Sequence, residues 1–284
     1  MLRSVLRYRS QSSNYWEALL RRSLGSFPFV LKCRSGARIV VRDKRELCFA
    51  SMGCRCGNRG QLVIPWGGSQ TIRLEGGLED GDPVSVFWEE TYQSLEPMDR
   101  SVVDIGASIG DSAIYFALKG ASRVIAFEPY PTTWKLACRN VTLNNLQDKV
   151  EIINAGVSAV DSTVNIDPRQ TLTAGRGLPS KSEGVPVPIY SLNTLVERWN
   201  VSDALLKVDC EGAEYGIIRG AKRNVLRLFT RIVMEYHYGI QDLPNLLDSA
   251  GFSVTCTRPK RIISRFHEQP CMHLGMLCAV RRDT

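Results

Sequence analysis

The chain has 284 residues, 44% hydrophobic and 23% charged, with a formal net charge of +7. That length buries a sizeable core, as one large domain or one domain with an appendage. No apolar run approaches the ~18 residues needed to cross a bilayer, which argues against a transmembrane helix. The nine cysteines are odd in number, scattered, and preceded by no apolar leader. This points to reduced thiols and a cytoplasmic protein rather than to a disulfide framework.

The positive excess lies at the front. Residues 1–42 hold nine Arg and Lys against one acid, Glu17, and the remainder holds 27 basic and 28 acidic residues. A basic chain invites a nucleic-acid partner, but the bulk of this one is neutral, so that partner is the lesser reading. The Arg-rich start also has the composition of a transit peptide. The plainer reading is a partly amphipathic helix over residues 14–24 (NYWEALLRRSL) that packs on the domain.

Residues 27–93 read as β-rich. The stretch 27–43 (FPFVLKCRSGARIVVRD) alternates about a turn at Ser35-Gly36, and 59–77 (RGQLVIPWGGSQTIRLEGG) is punctuated by glycine. We assign 1–84 to a helix and β-rich extension or lid, and 85–284 to the main domain. Cys33, Cys48 and the Cys54-Arg55-Cys56 pair lack both the usual zinc spacing and a nearby histidine.

From Arg100 the pattern changes. Short apolar strands over 101–106, 122–128, 149–157, 204–210, 230–237, 252–257 and 274–280 alternate with helices over 111–120, 131–146, 191–199, 213–228 and 242–251. Pro131 opens a helix, and Gly120 and Gly251 follow helix ends. Such alternation predicts an α/β fold with a doubly wound, mainly parallel sheet covered on both faces.

In that fold the ligand lies beyond the carboxyl ends of the strands, where the first strand turns into the first helix. Residues 102–111 (VVDIGASIGD) form this turn, with Gly106, Ala107, Ser108 and Gly110 as the candidate loop. The dinucleotide pattern G-x-G-x-x-G is absent, because Asp104 replaces its first glycine. Asp104 and Asp111 flank the loop and would repel a pyrophosphate. A ligand carrying an ammonium or sulfonium suits them, which points to S-adenosylmethionine. Glu128, 24 residues after Asp104 and followed by Pro129, ends the second strand at the offset where an acid meets ribose hydroxyls. Asn154, Ala155 and Gly156 end the third, where an adenine would lie.

The fourth strand ends in Asp209, Cys210, Glu211 and Gly212, and the fifth in Glu235 and His237. Asp209 faces the methyl donor. Glu211 and Glu214 also suit the role of helix caps. His237, one of three histidines, suits a proton acceptor as neutral imidazole near pH 7, oriented by a carboxylate. Asp209, Glu211, Glu235 and His237 also form a set that a hard divalent ion accepts, although the reading adopted needs no metal.

The segments VVDIGASIGDSAIYFALKGASRVIAFEPYP, NNLQDKVEIINAGVS, LLKVDCEGAEYGIIRGA and IVMEYH, preceded by WEETY at 88–92, resemble the FkbM-type family of S-adenosylmethionine-dependent methyltransferases. The likeness covers roughly residues 85–255. It implies a seven-stranded class I methyltransferase sheet with a reversed hairpin from the 252–257 and 274–280 strands. It also implies Asp104, Gly106 and Gly110 in the cofactor loop, Glu128 on the ribose, and Asp209 and Glu211 at the active face. Ser108 departs from a common asparagine, and a serine still donates a hydrogen bond. Such a family implies O-methylation of a hydroxyl on a small molecule or glycan. The alternatives are an RNA methyltransferase using the basic N-terminus and an inactive binding module. The N/D-P-P-Y/F strand end of many amino-group methylases is missing.

Overall fold

The structure, a computed structural model, describes residues 8–10, 12–34, 38–56, 61–77, 82–169, 184–263 and 271–282. The chain divides into two compact units, Met1–Glu79 and Asp80–Thr284.

In the first unit, helix α1 (Tyr15–Leu24) ends on left-handed Gly25, as the 14–24 pattern predicts. Strands β1 (Phe29–Lys32) and β2 (Arg38–Val41) pair antiparallel, and helix α2 (Lys44–Ser51) follows. The turn expected at Ser35-Gly36 lies outside the described residues. Ala18, Phe29, Leu31, Val41, Leu47 and Ala50 close a small core, so one face of α1 is packed. Strands β3 (Arg55–Cys56), β4 (Leu62–Trp66) and β5 (Gln70–Leu74) form a separate three-stranded sheet.

The second unit opens with helix α3 (Pro83–Phe87) and a 3₁₀ turn (Gln93–Leu95). Its strands are β6 (Ser101–Ile105), β7 (Arg123–Phe127), β8 (Val150–Ile153), β12 (Ala204–Val208), β13 (Phe229–Tyr236), β14 (Phe252–Cys256) and β16 (Cys271–Arg281). They run in the order β14-β16-β13-β12-β6-β7-β8, with β15 (Lys260–Ile263) pairing β16 off this path. The pairs from β13 to β8 are parallel, and β16 runs antiparallel to β13 and β14. This is the reversed hairpin that the resemblance implies. Every residue of β12 is buried, as in a parallel sheet covered on both faces.

Helices α4 (Asp111–Leu118), α5 (Pro131–Leu143), α6 (Leu192–Arg198), α7 (Glu214–Gly220), α8 (Arg223–Leu226) and α9 (Leu243–Ser249) connect the strands. Two features differ from expectation. The helix foreseen over 213–228 is two helices. The strand foreseen over 149–157 divides into β8 and β9 (Gly156–Ser158), and β9 joins a separate sheet with β10 (Ser162–Ile166) and β11 (Val185–Ser191).

Candidate functional site

The carboxyl ends of β6, β7, β12 and β13 lie side by side, so the loops after them converge on one edge of the sheet. The loop after β6 is bent by three positive φ angles, at Gly106 (81°), Ser108 (48°) and Gly110 (86°). At Gly106 no side chain fits, because a Cβ would lie 1.8 Å from the Asp209 carbonyl oxygen. The loops after β6 and β12 therefore touch. Ser108 holds a left-handed conformation without the freedom of glycine, and strain of this kind concentrates at working sites.

Asp104 proves to be something other than a free carboxylate facing a ligand. Register places it directly across from Lys207 on β12, and the lysine ammonium lies 3.0 Å from its carboxylate. Ser112 donates to the other oxygen at 2.6 Å, and Lys207 donates to the Gly106 carbonyl at 2.6 Å. Both side chains are buried. The negative charge read as a filter against pyrophosphate is thus neutralised in place, and its work is to hold the loop. Asp111 is also buried and accepts the Asp82 amide hydrogen at 2.9 Å. Burial pushes its pKa up to about 6, against that hydrogen bond and the charge of Lys207.

Glu128 is fully buried and ties two loops together. It accepts hydrogen bonds from the Ser108 amide at 2.9 Å and the Tyr130 amide at 3.0 Å. Burial pushes its pKa up to about 8, opposed by those two amides and by Lys207. Each oxygen has capacity for a further hydrogen bond. Asn154 donates to the carbonyls of Glu128 and Pro129. Of the three residues expected beside an adenine, Asn154 is partly exposed, whereas Ala155 and Gly156 are withdrawn into the core and into β9.

The second half of the site is a group of acids around one histidine. Glu214, with no exposed surface, accepts from the Cys210 and Gly212 amides at 2.9 and 3.1 Å and meets His237 Nδ1 at 3.0 Å. His237 Nε2 lies 3.3 Å from Glu211 and 3.8 Å from Asp209. Burial alone would lower the His237 pKa, but Glu214, Asp209 and Glu211 outweigh it and raise it to about 10. The imidazole therefore carries its proton near pH 7, which corrects the expectation of a neutral base. Glu211, also left-handed at φ 57°, is raised to about 7 by burial, held back by the charge of His237. Glu235 is raised to about 8 by burial and by Asp209. The side chains of Asp209 and Glu211 each keep 23% exposure, so they are the open side of the group.

Two contributors escaped the sequence reading, and a third was read there as a cap. Tyr92 donates to Asp209 Oδ2 at 2.7 Å and sets its ring 5.4 Å from the Lys207 ammonium. Lys207 was legible in principle, since a lysine inside an apolar strand requires a partner. Glu214 was weighed as a cap; it does take backbone amides, and it also holds the histidine. Among the described residues, Asp209, Glu214 and His237 are the group of side chains placed to hold a metal ion. The Cys56 side chain lies outside the described residues.

Residues 104–254 match the family model described as the methyltransferase FkbM domain. The chain is 27% identical over 242 residues to Methyltransferase sdnD of Sordaria araneosa, spanning 70% of this chain and 88% of that protein. It is 30% identical over 202 residues to Methyltransferase 1 of Beauveria bassiana (strain ARSEF 2860), spanning 61% and 81%. Among solved structures it is similar to M. jannaschii TYW2 in complex with AdoMet, at 14% identity and a TM-score of 0.45, over 80% of this chain and 89% of that one.

Proposed function

The chain belongs to the FkbM methyltransferase family, and from that premise we propose that its methyl acceptor is a hydroxyl oxygen on a small molecule or glycan. It is an S-adenosylmethionine-dependent methyltransferase, and the cofactor when bound supplies an electrophilic methyl group. The donor set of the loop suits that ligand. Glu128 has acceptor capacity left for a ribose diol, and the strained turn Gly106–Gly110 leads into the amino end of α4, whose dipole favours a carboxylate. Asn154 holds the Glu128 and Pro129 carbonyls from the side where the base would lie.

One observation carries the reading of the acceptor: the Asp209 carbonyl lies against Gly106, so the accessible acids directly adjoin the cofactor loop. A hydroxyl placed there must lose a proton as its oxygen attacks. His237, already protonated, is unsuited to take it. Glu211 is suited, because its pKa of about 7 matches a base at neutral pH. His237 then stabilises the Glu211 carboxylate, and Tyr92 fixes the direction of Asp209.

The test is methyl-labelled cofactor offered with hydroxylated small molecules, glycans and RNA. Label should appear on oxygen of the first two classes; label on nitrogen or on RNA alone would sink the proposal. Glu211→Gln should lower kcat by about 10²- to 10⁴-fold, the usual range for a general base, with cofactor affinity unchanged by calorimetry.

A further inference from the structure

Among the described residues, the acids around His237 outnumber the positive charges near them. Asp209, Glu211, Glu214 and Glu235 all interact electrostatically with this one imidazole or with each other. Among the described residues a second cation, Lys207, lies 3.0 Å from Asp104 and is engaged with it and with the Gly106 carbonyl. Glu214 shows the imbalance most plainly. It has no exposed surface, and its Oε2 has no hydrogen-bond partner. A buried carboxylate oxygen left this way is costly unless a cation sits beside it.

The donor atoms are also spaced for an ion. One atom each from Asp209, Glu214 and His237 lie within 4.8 Å of one another. The 3.0 Å between His237 Nδ1 and Glu214 Oε1 matches the edge between neighbouring ligands held about 2.1 Å from one ion. At Nδ1 an ion would displace the proton that the imidazole otherwise carries there, while Glu211 faces the other nitrogen, Nε2, at 3.3 Å. Tyr92 occupies Asp209 Oδ2, and Oδ1 lies 3.8 Å from His237 Nε2.

We propose that Asp209, Glu214 and His237 bind one divalent cation at the carboxyl edge of β12 and β13. A mixed imidazole and carboxylate set suits a first-row ion such as Mn²⁺ better than Ca²⁺. Three protein ligands leave positions open towards the accessible side of Asp209. There an acceptor hydroxyl bound to the ion would release its proton more readily to Glu211. This deepens the methyl-transfer reading and rests on it.

Mn²⁺ alone is the probe, titrated into the full chain and followed by loss of the free-ion electron paramagnetic resonance signal. One ion per chain should bind, with at least tenfold weaker binding in Asp209→Ala and in Glu214→Gln, and wild-type binding in the exposed Glu89→Gln. Glu214 caps buried amides, so circular dichroism checks its variant; the partly exposed Asp209 provides the independent variant. No ion bound by the wild type, or undiminished binding in Asp209→Ala, overturns the proposal. A parallel calorimetric titration with S-adenosylmethionine separates the two claims. Cofactor binding without Mn²⁺ binding removes the cation site alone, whereas absent cofactor binding removes the reading beneath it.

Discussion

Lys207 occupies a strand whose every residue is buried, and its ammonium reaches both the Asp104 carboxylate and the Gly106 carbonyl. Removing one member of such a pair strands the other charge in a low dielectric, at about 3–5 kcal/mol. Lys207→Met should therefore destabilise the protein by that amount in urea unfolding. Adding Asp104→Asn should recover part of the loss, because the uncompensated carboxylate is then gone; no recovery would show that the two charges act separately. The example also marks what is legible at the scale of single residues. Asp104, Glu128 and Asp209 are visible as acids at strand ends, and the structure places them there. Their partners are harder to see. Tyr92 and Asp209 are separated by 117 positions, and only the folded sheet brings them together. The charge of His237 is likewise set by three carboxylates, not by the histidine itself.

Among elements, the long amphipathic stretch 213–228 reads as one helix because its composition does not object to one. The structure stops α7 at Gly220 and starts α8 at Arg223. Gly220 packs so closely on the turn after β9 that a Cβ would lie 2.5 Å from the Ala159 carbonyl oxygen. Propensity alone would make alanine about 1 kcal/mol better than glycine inside a helix. We expect the clash to win, so Gly220→Ala should lower the thermal midpoint; a rise would mean that the loop after β9 yields freely. The strands of the main sheet are legible because buried parallel strands are nearly continuous apolar runs. The sheet of β9, β10 and β11 is not. Pro186 and Pro188 demote β11 in any reading of the sequence. Both stand in register with β10, opposite Asn165 and Thr163, and on the other side β9 pairs with Ile189, Tyr190 and Ser191, beyond both prolines.

For the whole molecule, Asp111 and Glu128, the buried acids beside the Gly106–Gly110 loop, set a trend of stability with pH. Asp111 rises from 3.8 to about 6 and Glu128 from 4.5 to about 8 on folding. Across those intervals the folded protein holds protons that the unfolded chain has lost. Their contribution to stability is therefore greatest at the acidic end and declines as pH rises through each interval. Glu128→Gln, which stays neutral, should flatten the decline between about pH 5 and pH 8 in thermal unfolding, and an unchanged slope would show that Glu128 ionises freely in the fold. At this scale the sequence is most informative: alternation of strand and helix predicts the layered sheet, and the FkbM-like segments point to the family that residues 104–254 match.

The position of β16 has a further consequence, in time rather than in space. It lies between β13 and β14, yet it is synthesised after both. As the chain emerges from the ribosome, β6, β7, β8, β12 and β13 can associate while the far edge of β13 stands unpaired and open to another chain. The His273 amide, at the start of β16, donates to the His237 carbonyl at 2.9 Å. The backbone anchor of the histidine at the centre of the acid group is thus among the last to form, and a nascent chain has the Gly106–Gly110 loop before the surroundings of His237 are complete.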